Sequence, residues 1–518
     1  MAIAEMFCDV LRLQGKQRPD AIACRFEGAD LTYGDLDQRA NQVAQGLIAA
    51  GLRPGARVAV ISKNSAGYVE ILGGTLKSRS VLLAVNWRLA PPETAYILEH
   101  GEAEALFLEA EFLPLLDEVR GRLRAPGLVV VIGAAADGCE TYAAWRDGQS
   151  DADPRLGGSP QDVFVQMYTS GTTGLPKGVQ LTHANYTACF EAMSRLEWNV
   201  AGPDDVLFAP APFFHVNGLN AVLRSIDGGS RLLTADQFRP AQIVEMFERE
   251  RVTRAAMAPA MIQMCLEVPG VETRDFSALR AITYGGSPIS ETVLKRAREV
   301  FGCDFCQGYG MTEATGPVAM LSPEDHRDDR RLLACGKPLP GIEVKVVRPD
   351  GSVCGPREVG EVLARSPALT PGYWRDPEAT AKTIVDGWLH TGDAGYFCED
   401  GYLHIHDRVK EMIVSGGENV YPAEVENALA KDPDIADVAV IGVPDDKWGE
   451  AVKAIVVLRP GAAADEAGII ARVRRHLAGY KAPKSIDFTD TIPRNAAGKI
   501  LRRELRKPYW AGRTRAVS

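Results

Sequence analysis

The chain lacks several features that would place it at once. It has no surplus of positive charge: 58 Lys and Arg face 68 Asp and Glu, a formal net charge of -10. That argues against a nucleic-acid binder, whose surface is basic, while leaving room for a local basic pocket for phosphates. It has no long hydrophobic run. The longest, near Leu128 to Ala136, is far short of the roughly 20 apolar residues a membrane helix needs, so no integral membrane segment is expected. The opening stretch, MAIAEMFCDVLRLQGKQRPD, has no basic segment followed by an apolar one; it reads as a short amphipathic helix, not a signal peptide. A cytoplasmic location is the resulting expectation. Ten cysteines include one CxxC pair, Cys303 and Cys306, that no second pair answers, which argues against zinc and for buried, reduced thiols. No repeat of fixed period is visible.

What is present is an ordinary globular composition, 46% hydrophobic and 24% charged, with 50 Gly and 32 Pro. At 518 residues the chain is too long for one core, so two or more domains are expected. From Leu31 onward LTYGDLDQRANQVAQGLIAAG places Leu36, Ala40, Val43 and Leu47 at helical spacing and stops at Gly51. RVAVISKN then reads as a buried strand. Helix and strand keep alternating through Ala105–Leu108 and Leu128–Ile132. This predicts an α/β fold: a large N-terminal domain of several subdomains, its sheets covered by helices. Near the end the texture shortens. Strands Asp437–Val443 and Ala451–Leu458 and helix Ala467–Leu477 predict a small, mobile α+β domain. The expected division is 1–407, a hinge at 408–411, and 412–518; the charged link, without a Gly/Ser run, suits a hinge more than a tether.

The densest signal is Met167-Tyr168-Thr169-Ser170-Gly171-Thr172-Thr173-Gly174-Leu175-Pro176-Lys177-Gly178, which follows the strand pattern DVFVQMY. Glycines, hydroxyls and one lysine together can turn many donors toward one anion. The loop is not GxxxxGK[ST], and a plain turn needs far fewer such residues.

This loop resembles the phosphate loop of the adenylate-forming superfamily, which holds acyl-CoA synthetases, luciferases and peptide-synthetase adenylation domains. Further matching segments follow in the family's order: Ala211-Pro212-Phe213-Phe214-His215, Tyr284-Gly285-Gly286-Ser287-Pro288, Gln307-Gly308-Tyr309-Gly310-Met311-Thr312-Glu313, Gly372-Tyr373-Trp374, His390-Thr391-Gly392-Asp393, Asp407-Arg408-Val409-Lys410-Glu411, Ser415-Gly416-Gly417-Glu418-Asn419 and Pro493-Arg494-Asn495-Ala496-Ala497-Gly498-Lys499. They span residues 31 to 503. The look is closest to fatty-acyl-CoA synthetases and aryl-CoA ligases.

The resemblance implies a soluble, AMP-forming ligase that uses ATP, Mg2+ and coenzyme A and joins a small carboxylic acid to CoA through an acyl-adenylate. Attack of a carboxylate on the α-phosphate brings two anions together, so positive charge must be waiting. By resemblance Lys499 meets both; by composition alone it would be a solvated lysine of a basic tail. Thr169, Ser170, Gly171, Thr172, Thr173, Gly174 and Lys177 would cradle the phosphates. Glu313 and Thr312 would meet Mg2+ and the phosphates, with Thr172 as a second metal contact, since a hard cation wants oxygen ligands and keeps waters. Tyr309 and the Gly285–Gly286 turn resemble the two faces of an adenine slot, with Ser287, Gln307, Gly308 and Gly310 in the same nucleotide-binding segments. Asp393 resembles the ribose ligand, Arg408 a further ribose or phosphate contact. His215, which unaided reads as a packed core histidine, is implied to be a gate or positioning residue by the acyl pocket. Lys410 is the implied hinge. After rotation Ser415, Gly416, Gly417 and Glu418 would line the pantetheine tunnel, and Trp448 and Lys481 would contact CoA; domain packing is the plainer reading of Trp448.

The chain departs from the family in two places. Lys77-Ser78-Arg79-Ser80-Val81 stands where a small-residue turn is usual, and Arg79 reads as a solvated loop residue. Arg224 sits on the helix expected after His215, where aliphatic or aromatic residues are usual. Facing the acyl pocket, it would imply a polar or second carboxylate group on the substrate; facing solvent or an acidic neighbour, it would say nothing. A medium- or long-chain fatty acid is the expected substrate and an aryl acid of the benzoate or cinnamate kind the runner-up. Gly310, where a bulky Trp would shorten the pocket, argues against acetate. A stand-alone adenylation enzyme that loads a carrier protein is a third reading, opposed by Trp448 and Lys481. A homodimer is offered by family analogy alone.

Overall fold

The computed structural model describes residues 6–125, 127–134, 140–170, 175–286, 289, 291–408, 413–420, 422–462, 465–493, 500 and 502–511. The helix expected after Leu31 spans Tyr33–Ala49, and the Thr32 hydroxyl caps it by accepting from the Asp35 N–H at 3.0 Å. Its buried stripe of Leu36, Ala40, Val43 and Leu47 packs on helix Ala66–Ser78. The contact is close because Gly73 and Gly74 stand where a Cβ would collide with Ala40 and Val43.

Among the described residues the large domain holds two mostly parallel sheets. In a seven-stranded sheet the strand Arg57–Ile61 lies between Ala103–Glu109 and Val81–Ala84, and Val81–Ala84 pairs in parallel with Val163–Ser170. Val163–Ser170 then turns back antiparallel as Pro176–Thr182. Thus the two strands that flank the glycine-rich segment pair at the edge of the sheet. In a nine-stranded sheet Val206–Phe208, Arg254–Met257, Ala281–Gly285 and Asp304–Met311 run parallel in that order, and Gly316–Leu321 closes back on Asp304–Met311. The central strands are buried on both faces, as crossover helices require. One apolar cluster, including Phe7, Tyr33, Tyr68 and Phe213, joins the two sheets. A third, antiparallel sheet contains Gly360–Arg365, Trp388–Phe397 and Leu403–Arg408.

The next described strand, Ile413–Ser415, belongs to a separate sheet with Glu418–Val420, Ile435–Asp445, Gly449–Leu458 and Ser485–Phe488. Helices Pro422–Leu429 and Glu466–Val473 supply Val425, Leu429, Ile469 and Val473 to its own core. This is the α+β unit expected from the short C-terminal segments. The mixed α/β architecture of a large domain and a small one is therefore present.

Candidate active site

A cavity of about 480 Å3 lies at the C-terminal ends of Ala281–Gly285, Asp304–Met311 and Val163–Ser170 and extends to the small domain. Strand ends in α/β sheets leave backbone and side chains free to face a ligand. Of the residues singled out in the sequence, Thr169, Lys177, His215, Gly285, Gly286, Gly308, Gly310, Thr312, Glu313, Asp393, Gly416, Gly417, Glu418 and Lys481 share this one wall. Gly171, Thr172, Thr173, Gly174, Ser287, Lys410 and Lys499 lie outside the described residues, as do the side chains of Ser170 and Arg408. Arg408 ends the strand Leu403–Arg408, in register with Asp393.

At one end two carboxylates are held by tyrosines. The Tyr309 hydroxyl donates to Asp393 Oδ2 at 2.7 Å. Burial, then the Asp393 charge, raises the Tyr309 phenol well above its ordinary value and so keeps it a donor. The Tyr373 hydroxyl donates to Glu313 Oε1 at 2.9 Å, and the Glu313 carbonyl accepts from the Thr370 N–H at 2.8 Å. Lys177 Nζ sits 5.0 Å from the centre of the Tyr373 ring, close enough for a cation–π contact. Lys177, Tyr373 and Glu313 thus adjoin one another between the hairpin and the Thr312–Ala314 turn.

The strand Asp304–Met311 sends its residues to two sides. Gly308 and Gly310 line the cavity, whereas Gln307 and Tyr309 do not; both are buried. Side chains alternate along a strand, and the Tyr309 hydroxyl is directed to Asp393. Gly310 has a backbone reason of its own: a Cβ there would collide with the Gly316 carbonyl across the hairpin.

The other end is a contact between the domains. Glu418, buried at the tip of the Ile413–Val420 hairpin, meets His215 Nε2 at 2.9 Å and accepts from Arg88 Nη1. Burial works to raise the Glu418 carboxyl, and the His215 and Arg88 charges outweigh it, carrying it down to about 2. His215 is therefore a cavity residue with a polar partner, not a packed core histidine. The hairpin turn needs Gly416 and Gly417, at φ of 62° and 80°, and a Cβ on Gly416 would press into the Trp448 ring. Ser415 is buried beside them and is not part of the wall.

Trp448 is 37% exposed, with Lys447 and Lys484 ammonium groups 4.7 and 5.9 Å from its ring centre. Lys481, expected to contact CoA, lies on the cavity wall and is engaged by carboxylates. It is 2% exposed, and its ammonium bridges Glu93 at 2.9 Å and Glu424 at 2.6 Å. Burial opposes the Lys481 charge, but the two carboxylates prevail and raise its pKa. Burial raises Glu424 to about 7. The same seam holds Asn86 to the Tyr480 hydroxyl at 3.1 Å. Arg79, read as a loop residue, caps helix Ala66–Ser78 at φ 58° and clamps Asp162 at 2.7 Å. Arg224 lines the cavity.

Sequence reasoning missed Arg88, Glu93, Glu424 and the role of Tyr373. Only Tyr373 carried a signal, since it lies within a matched segment.

Residues 11–374 match the family described as AMP-binding enzyme, and residues 424–499 match the AMP-binding enzyme C-terminal domain. The chain is 42% identical to the fatty acid–acyl-carrier-protein ligase ScoC of Streptomyces coeruleorubidus over 511 residues, covering 97% of this chain and 96% of that one. It is 38% identical to a feruloyl-CoA synthase of an Amycolatopsis species, covering 96% and 97%. Among solved structures, the amide bond synthetase McbA from Marinactinospora thermotolerans superposes with a TM-score of 0.88 at 32% identity, covering 97% of this chain and 99% of that one. The CoA ligases of this family use ATP, Mg2+ and coenzyme A. A cavity with two tyrosine-held carboxylates, reached by a glycine hairpin from a second domain, together with matches over both domains, makes this chain a member of the AMP-binding enzyme family, an AMP-forming acid–thiol ligase.

Proposed function

We propose that the protein activates a medium- or long-chain aliphatic carboxylic acid as its acyl-adenylate and transfers the acyl group to coenzyme A. The observation that carries this reading is the continuity of the cavity: Glu313 and Asp393 at one end, and Gly416, Gly417 and Glu418 of the small domain at the other. Met193, Leu207, Ala221 and Met261 supply apolar wall for the acid's body.

In the first half-reaction Asp393, oriented by Tyr309, accepts from the ribose hydroxyls, a role suited to a carboxylate with two acceptor oxygens. Lys177 and the glycine-rich loop neutralise the phosphates. Glu313, oriented by Tyr373, would hold Mg2+ together with ATP oxygens, and the ion would supply charge neutralisation at the phosphates. The chemistry fits: Glu313 is a carboxylate on the cavity wall whose hydrogen-bond partner is neutral. Lys499 is assigned to the carboxylate and α-phosphate. In the second half-reaction the thiol needs an open path, so we place a hinge at 408–411 that exchanges Lys499 for the Gly416–Gly417 hairpin. The arrangement described here, with that hairpin in the cavity wall, suits transfer. The exposed Trp448 between two lysines suits the phosphates and base of CoA.

Transfer to a carrier protein is the second reading, favoured by the likeness to ScoC. ATP–pyrophosphate exchange over fatty, aryl and dicarboxylic acids, followed by thioester assays with CoA and with a phosphopantetheinylated carrier, tests both. Acid-dependent exchange and a CoA thioester are expected. Exchange without a CoA thioester would move the acceptor to a carrier, and no exchange with any acid would reject the reading.

A further inference from the structure

The cavity wall that the proposed acyl chain would meet is not wholly apolar. Helix Val216–Gly228 and strand Arg254–Met257 bring Arg224 and Arg254 to the cavity wall, among Met193, Leu207 and Met261. Arg224 donates only to neutral acceptors, the Asn199 carbonyl and, at 3.5 Å, Asn199 Oδ1. No carboxylate forms an ion pair with it among the described residues. Arg254 donates to the Trp198 carbonyl at 3.1 Å, and its Nε lies 3.5 Å from Asp205 Oδ1. That carboxylate also serves Arg280 and the Thr253 hydroxyl. Asn199 is 3% exposed, lines the same cavity, and its Nδ2 has no acceptor among the described residues.

Two guanidinium groups and an unanswered amide donor therefore line the same cavity, with Asp227 acting on Arg224 electrostatically but forming no ion pair with it among the described residues. Arg224 is half-buried with no ion-pair partner among the described residues, which is costly for a partly desolvated cation, and the buried Asn199 donor without an acceptor adds to that cost. Burial draws the Arg224 guanidinium below its ordinary value, and the Arg254 charge adds to this. Arginine stays charged regardless, so an anionic acceptor brought by the substrate would find a ready partner there.

We infer that the acyl pocket takes a carboxylic acid bearing a second carboxylate at its far end, which docks on Arg224 with Arg254 and Asn199 beside it. This rests on the acid-activating reading above and narrows its substrate class. The first carboxylate reacts, and the second selects.

The test is ATP–pyrophosphate exchange by the full chain, using α,ω-dicarboxylic acids and monocarboxylic acids matched in length, together with an aryl pair with and without a distal carboxylate. Arg224→Met and Arg224→Lys are measured beside the wild type. The wild type is expected to favour the diacid by about 100-fold in kcat/KM, mostly through KM. Arg224→Met should erase or reverse that preference, and Arg224→Lys should restore part of it. Wild-type preference for the monoacid or for a hydroxyl-ended acid, with exchange intact, overturns the inference and leaves the activation reading standing. No exchange with any acid overturns both. Should Arg224→Met fail to fold, the wild-type series and Arg224→Lys decide the matter.

Discussion

The two ends of the cavity treat their carboxylates in opposite ways. At the nucleotide end Asp393 and Glu313 are each held by a tyrosine hydroxyl. At the domain contact Glu418 is held by Arg88 and His215, and Glu93 and Glu424 by Lys481. A tyrosine hydroxyl fixes a carboxylate's direction without itself cancelling the charge, which suits Glu313 to meeting a cation and Asp393 to meeting hydroxyls. A fixed cation cancels the charge, so the contact-end carboxylates act as fasteners between domains. On the proposed reading, the difference separates residues assigned to the chemistry from residues that set the arrangement in which it happens.

The comparison breaks first at the nucleotide end. Glu313→Gln keeps the shape and removes the charge; adenylation should fall about 1,000-fold in ATP–pyrophosphate exchange. Tyr373→Phe, which removes only the orienting donor, should cost about 10-fold. A larger loss for Tyr373→Phe than for Glu313→Gln would reverse the assigned roles.

Next comes the contact end. Glu418→Ala leaves Arg88 and His215 facing each other without their anion, which should loosen this domain arrangement. Acyl transfer from supplied acyl-adenylate should slow about 30-fold, with exchange far less affected. Lys481→Met leaves Glu93 and Glu424 buried together without a cation. Removing one side of a buried pair costs about 3 kcal/mol or more, visible as a lowered midpoint for unfolding of the small domain in urea.

The smallest effect is on pH dependence, and the two glutamates differ in sign. Glu418, held at about 2, contributes stability in full above its ordinary 4.5 and loses it as pH falls toward 2. Glu424, raised to about 7, contributes below 4.5 and loses its share as pH rises through 7. Thermal melts at pH 5.5 and 8 should therefore show a decline with pH that Glu424→Gln flattens. An unchanged slope in that variant would remove Glu424 as its source.

Much of this was legible in the chain. The helix Tyr33–Ala49, the strands Arg57–Ile61 and Leu128–Ile132 and the small domain's strands followed from local spacing, because periodicity reports the face a residue buries. The ordered motifs placed Thr169, Lys177, Glu313 and Asp393 in one site, since each glycine turn delivers its neighbours to a strand end. The fasteners were not legible. Arg88 pairs with Glu418 across 330 residues and Lys481 with Glu93 across 388, and no local pattern encodes such partners. The family resemblance assigned Lys481 to CoA, and nothing near it in the sequence pointed to Glu93. For Arg224 the sequence raised the right question, but only the packing of Val216–Gly228 shows which way it points.

The most direct measurement of the account is a single-turnover comparison of both half-reactions in Lys499→Ala and Glu418→Ala. Opposite defects are predicted: Lys499→Ala should lose adenylate formation and still pass supplied acyl-adenylate to CoA, while Glu418→Ala should form adenylate and fail chiefly at transfer. Equal loss of both steps in both variants would contradict a cavity worked in turn by two domain arrangements.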